Sequence, residues 1–93
     1  MVIALLSIEC HLPAAHSLKE KRLVLRSLKD RLRKFNVAVA EVEHQELWQR
    51  AGLGVVTVAE SDAVAEKTLA AALREVERLE PDLMIRSQVE YLR

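Results

Sequence analysis

Apolar and polar positions alternate along the first twelve residues, with Val2, Ala4, Leu6, Ile8, Cys10 and Leu12 on one side and Ser7, Glu9 and His11 on the other. A period of two belongs to an extended chain with one face buried, so this stretch is predicted as a strand that Pro13-Ala14-Ala15 ends. The period then lengthens. Leu18, Val24, Leu25, Leu28, Leu32 and Phe35 share one side of a helix, and Ser17 with Glu20 three residues later has the spacing of a capping box at its start. Asn36 suits the left-handed turn that commonly closes a helix. Two β-rich runs follow, Val37 to Val42, turning acidic at Glu41 and Glu43, and Leu53 to Ala59, across a connection that holds His44, Trp48 and Gly52. These are expected to pair antiparallel. Ser61 and Asp62 open a second helix, carried by Ala65, Leu69, Ala72, Leu73, Val76 and Leu79 until Pro81 forbids continuation. A last strand is predicted from Leu83 to Leu92, where Ile85, Val89 and Tyr91 alternate with Arg86, Gln88 and Glu90.

The order is therefore β-α-β-β-α-β. With right-handed crossovers and both helices on one face, it predicts an α+β, ferredoxin-like fold built on a four-stranded antiparallel sheet. The other face of that sheet is left uncovered. Ser7, Glu9, His11, Glu41, Glu43, Thr57, Arg86, Gln88 and Glu90 are expected on it, with Ile3, Leu5, Val37, Val39 and Val55 among them. A length of 93 residues suits a single domain over 1–93 with a thin core. Half of the residues are hydrophobic (51%) but only Phe35, Trp48 and Tyr91 are aromatic, so the interior must be aliphatic.

Charge changes the picture at one place. Lys+Arg and Asp+Glu balance over the chain, yet Ser17 to Lys34 holds eight basic residues and two acidic ones. Lys19, Arg22, Arg26, Lys29 and Arg33 alternate at spacings of three and four, which puts all five on one side of the first helix. The stripe is about 20 Å long, enough to follow several phosphates. Like charges at these spacings cost a few tenths of a kcal/mol each, and Lys19, Lys21 and Arg22 crowd the positive end of the helix dipole. Local stability did not select them. They serve either a polyanion or salt bridges to acids of the sheet rim or of a second subunit. Ser17, His16, Lys19 and Arg22 could also hold one phosphate at the helix N-terminus, unless Ser17 and Glu20 simply cap it. Lys21 lies near the apolar side, where it would snorkel past the core or meet a carboxylate such as Glu41.

Other chemistry is sparse. Cys10 is the sole cysteine, which excludes an intramolecular disulfide and fits a reducing cytoplasm. The apolar start, Val2 to Leu6, lacks preceding basic residues and the length of a membrane span, so neither a signal peptide nor membrane attachment is expected. Cys10 and His11 point to opposite sides of a strand, and with His16 and His44 they do not make a zinc site. His11 or His44 beside Glu9, Glu41 or Glu43 could form an acid–base pair, but no activated nucleophile or phosphate loop accompanies it. No catalytic residues, metal or cofactor are expected. Base stacking on the open sheet would need aromatic side chains, which the first and third strands lack. Trp48, next to Leu47, either anchors a partner or covers the edge of the small core.

Three runs carry a family likeness: His16-Ser17-Leu18-Lys19-Glu20-Lys21-Arg22, Phe35-Asn36-Val37-Ala38-Val39-Ala40-Glu41-Val42 and His44-Gln45-Glu46-Leu47-Trp48-Gln49-Arg50-Ala51. In these the chain resembles the YlxP-like proteins over essentially its whole length. The resemblance implies a ferredoxin-like domain in a bacterial family of undefined activity, often encoded beside transcription and translation factors. The combined expectation is a non-enzymatic binding module that engages RNA or a ribosomal particle through Ser17, Lys19, Arg22, Arg26, Lys29 and Arg33. The competing expectation is a self-associating domain that uses the open sheet face or edge, with His11, Glu41, Glu43 and Trp48 as partner surface and the basic helix serving salt bridges only.

Overall fold

A computed structural model describes residues 1–79 and 83–92 of the chain. Six elements follow one another: β1 (Val2–His11), α1 (Leu18–Leu32), β2 (Ala38–Glu43), β3 (Arg50–Ala59), α2 (Asp62–Leu79) and β4 (Met84–Leu92). All strands join one sheet in the order β2-β3-β1-β4, every neighbouring pair antiparallel. This is the α+β, ferredoxin-like arrangement that the hydrophobic periods predict. Pro81, the expected stop for α2, lies outside the described residues, as does the side chain of Ile85.

The period-two pattern of β1 sets the core. Ala4, Leu6, Ile8 and Cys10 are each 2% exposed or less, and they meet Leu25, Leu28 and Leu32 of α1 and Ala65, Leu69, Ala72 and Val76 of α2. Each such leucine contributes about 1.5–3 kcal/mol by leaving water. Burial pushes the Cys10 thiol up to about 11, as befits a small apolar filler. Alanines at 65 and 72 let α2 lie close against β1 and β3.

Sheet phase corrects the expected open face in two strands. Val55 and Thr57 pair with Leu6 and Ala4 and face the helices, at 0% and 2% exposure. Thr57 tolerates burial because its hydroxyl donates to the Asn36 carbonyl at 2.7 Å. Val37 and Val39 likewise pack against the core. The open face of β3 is instead Gly52, Gly54, Val56 and Val58, opposite Glu9, Ser7, Leu5 and Ile3. In β2 the pairing shifts between Glu41 and Glu43, opposite Leu53 and Gly52, so Val42 is an extra residue. Glu41 is thereby turned under α1 while Glu43 reaches the open face.

Asn36 closes α1 differently from expectation. Among the described residues the only non-glycine with positive φ is His44. Asn36 acts through its amide, which donates to the Val58 carbonyl at 3.1 Å and ties the helix exit to β3.

Candidate functional site

Helix α1 has three differently used sides. Leu25, Leu28 and Leu32 face the core. Lys34, just past the C-terminus, pairs with the buried Glu75 of α2, which Arg78 also contacts. These cations hold the Glu75 carboxyl below its ordinary value, Lys34 contributing most. The third side is the basic stripe. Lys19, Arg22 and Arg26 are exposed, Lys29 is half-buried, and none of the four has an acidic partner among the described residues. Arg33 alone meets a carboxylate, Asp30 at 3.3 Å, in a solvent-exposed pair on the same helix. Among the described residues no acid of the sheet rim neutralises this ridge.

At the start of α1, Ser17 is the N-cap, its hydroxyl accepting from the Glu20 N–H at 3.1 Å. The Glu20 carboxylate accepts from the His16 N–H at 2.6 Å, one residue upstream of the position a capping box uses. A carboxylate therefore already sits where a bound phosphate was considered. Ser17 has a capping role, and the ridge begins at Lys19.

Lys21 is 1% exposed, the one lysine of the core. Its ammonium donates to the carbonyls of His44 and Leu47, each at 2.6 Å, and lies 2.7 Å from Glu41 Oε2. The carboxylate contact is ionic, its angle falling outside hydrogen-bond geometry. Three acceptors around one ammonium satisfy the condition for burying a charge. They also fasten the β2–β3 connection to α1. His44 needs this help, since its φ of 62° is a left-handed conformation that costs about 1–2 kcal/mol. The far end of the connection is held too: the Leu12 N–H donates to the Gln49 carbonyl at 2.9 Å, and the Gln49 amide reaches the Pro13 and Ala15 carbonyls at 3.3 and 3.4 Å.

The held connection presents apolar side chains outward. Trp48 keeps 52% of its surface in solvent and Leu47 keeps 42%. The neighbours of Trp48 across a shallow recess are Glu46, Gln49 and Arg50.

A second polar cluster occupies the open sheet face. Glu9 accepts from the Arg50 guanidinium, from Arg86 at 3.3 Å, and has His44 Nε2 at 3.4 Å. The Arg50 hydrogen bond, aided by Arg86 and His44, holds the Glu9 carboxyl below its ordinary range. Glu43, 3.9 Å from His44, stays exposed above Gly52. This gathers the His–Glu proximity foreseen for His44, but with the carboxylate committed to two arginines. His11, at the exposed end of β1, uses its N–H on the Leu83 carbonyl at 2.6 Å. The four residues expected to form one partner surface are dispersed: Glu41 is under α1, Glu43 and His11 are on the open face, and Trp48 is on the connection. The same face carries Ser7, Gln88 and Glu90 and, among them, the apolar Val42, Val58 and Leu92 at 55%, 51% and 58% exposure. No described helix is long and apolar enough to cross a membrane.

Comparison with known proteins agrees with this picture at the level of family and fold. The uncharacterized protein YlxP of Bacillus subtilis (strain 168) is 44% identical over 62 residues, which span 66% of this chain and 67% of that protein. The de novo designed protein Foldit4 superposes with a TM-score of 0.57 at 12% identity, covering 99% of this chain and 96% of the design, a likeness of fold alone. Residues 3–89 match the family described as "Protein of unknown function (DUF503)", and the chain belongs to that family.

Proposed function

We propose that this chain is a non-enzymatic cytoplasmic binding module that engages the phosphate backbone of RNA or of a ribonucleoprotein through Lys19, Arg22, Arg26, Lys29 and Arg33. One observation carries the reading: four of these five cations stand without an acidic partner among the described residues. Like charges so placed repel one another by a few tenths of a kcal/mol per pair, and a polyanion turns that cost into binding energy. Neighbouring cations of the same segment are spent on structure, Lys21 on the β2–β3 connection and Lys34 on Glu75, which sets the ridge apart from them.

The test is RNA affinity measured by anisotropy across salt. With about four phosphate contacts, affinity should fall roughly 50-fold between 50 and 200 mM salt. Arg22→Glu with Arg26→Glu should weaken binding and flatten that slope by about two contacts. Full affinity in the double variant would remove the ridge from consideration. A second reading, self-association through the open sheet, is favoured by the exposed Val42, Val58 and Leu92 on that face. Sedimentation distinguishes it, because Val58→Glu would disperse such a dimer and Arg22→Glu would not.

A further inference from the structure

Trp48 is the only tryptophan of the chain, and it is half exposed on a connection whose backbone is fixed at both ends. Exposing about half of an indole costs solvation that the fold does not recover. Its placement relative to the basic ridge is set by Lys21. That residue immediately precedes Arg22 and follows Lys19 by two, and its ammonium is bonded to the carbonyl of Leu47, the residue before Trp48. The indole and the first turn of the ridge are thus fastened to the same point. Glu46 lines the recess beside Trp48 and its carboxylate repels phosphate from it, and Arg50, whose guanidinium is held by Glu9, lines the same recess.

Resting on the reading of the ridge given above, we infer that its ligand is single-stranded RNA, with the backbone running along α1 and an unpaired base stacked on Trp48. A duplex keeps its base faces inside its own stack and offers the indole nothing, whereas every unpaired base has a face to give. The open face of the sheet carries no aromatic side chain among the described residues, and the connection that Lys21 fastens to α1 supplies the platform instead. Preorganisation by Lys21 and Gln49 spares the ordering cost that a mobile tryptophan would incur on binding.

A single tryptophan makes the test direct. The full chain is titrated with a single-stranded oligoadenylate and with an RNA duplex of equal charge, following Trp48 fluorescence and, separately, anisotropy of labelled RNA. Expected are quenching by the single strand, weaker binding of the duplex, and a roughly 5- to 150-fold affinity loss in Trp48→Ala with the salt slope unchanged. Trp48→Phe should recover most of that loss, which a merely structural role would not produce. Salt-dependent binding without quenching, equal affinity for the duplex, or normal RNA binding by Trp48→Ala would overturn this inference and leave the ridge reading standing. The last result would assign the indole to a protein contact. Absence of binding to either RNA would overturn both.

Discussion

Replacing Lys21 by Met keeps the length and apolar stem of the side chain and deletes only its ammonium. Three acceptors then lose their partner: Glu41 Oε2, 2.7 Å away, and the carbonyls of His44 and Leu47, 2.6 Å away. Taking one member from a buried ion pair costs about 3–5 kcal/mol, and each buried carbonyl left unmatched costs about 1–3 kcal/mol. Water recovers part of this, because the Glu41 side chain is 17% exposed and the connection lies at the surface. The expected net loss is about 3–5 kcal/mol. A chain of 93 residues has only about 5–14 kcal/mol to lose. With a urea m-value of about 1.5 kcal/mol/M, the unfolding midpoint should fall by about 2–3 M. Circular dichroism reports the helices and Trp48 fluorescence reports the connection, so a connection that loosens before the sheet would separate the two signals. Glu41→Gln should cost less, about 1–2 kcal/mol, since the ammonium keeps both carbonyls. A Lys21→Met variant within 1 kcal/mol of the parent would refute the claim that this ammonium holds the β2–β3 connection.

Two further outcomes follow from the sheet. A Cβ at Gly52 would meet the Glu43 Cβ at 2.7 Å, whereas one at Gly54 would find its nearest neighbour, a Val42 methyl, at 3.5 Å. Gly52→Ala should therefore destabilise by about 1–3 kcal/mol while Gly54→Ala stays near neutral in urea unfolding, and equal effects would contradict the assigned bulge. Glu9 and Glu75 both have folded-state values held below 4.5 by their cationic neighbours. Their contribution is complete above that value and drains away as pH falls through the lowered ones. A Glu9→Gln, Glu75→Gln variant should lose stability less steeply than the parent below pH 4.5, and parallel curves would refute the pairing.

Fold and site were not equally readable from the residues. The element order and the β1 core followed from periods of two and 3.6, because β1 alternates cleanly and α1 has a continuous leucine side. Sheet phase in β3 was hidden. Leu53, Val55 and Thr57 compete with Val56 and Val58 for burial, and both sets are β-rich, so the one hydroxyl suggested solvent where the Asn36 carbonyl in fact receives it. Glu41 was misplaced on the open face for a related reason, although its meeting with Lys21 had been foreseen: a lysine among leucines on α1 needs a carboxylate beneath it. The ridge could be drawn from spacing alone. That four of its five cations have no acidic partner among the described residues could not, since most acids able to reach them lie elsewhere in sequence. Trp48 gave no burial signal, being a lone aromatic in an irregular connection.

Val42 decides which side of the sheet Glu43 takes. Were Val42 taken up in regular alternation instead of as the extra residue of a bulge, Glu43 would point the same way as Glu41, beneath the helix, where a single ammonium would face two carboxylates. The bulge lets two glutamates two positions apart take opposite sides of the sheet, the first neutralised indoors and the second left to the solvent beside Gly52. It also swings the chain toward the point where His44 and Leu47 turn their carbonyls to Lys21. A β2 of this same sequence paired without the bulge would have to set both carboxylates against one interior lysine.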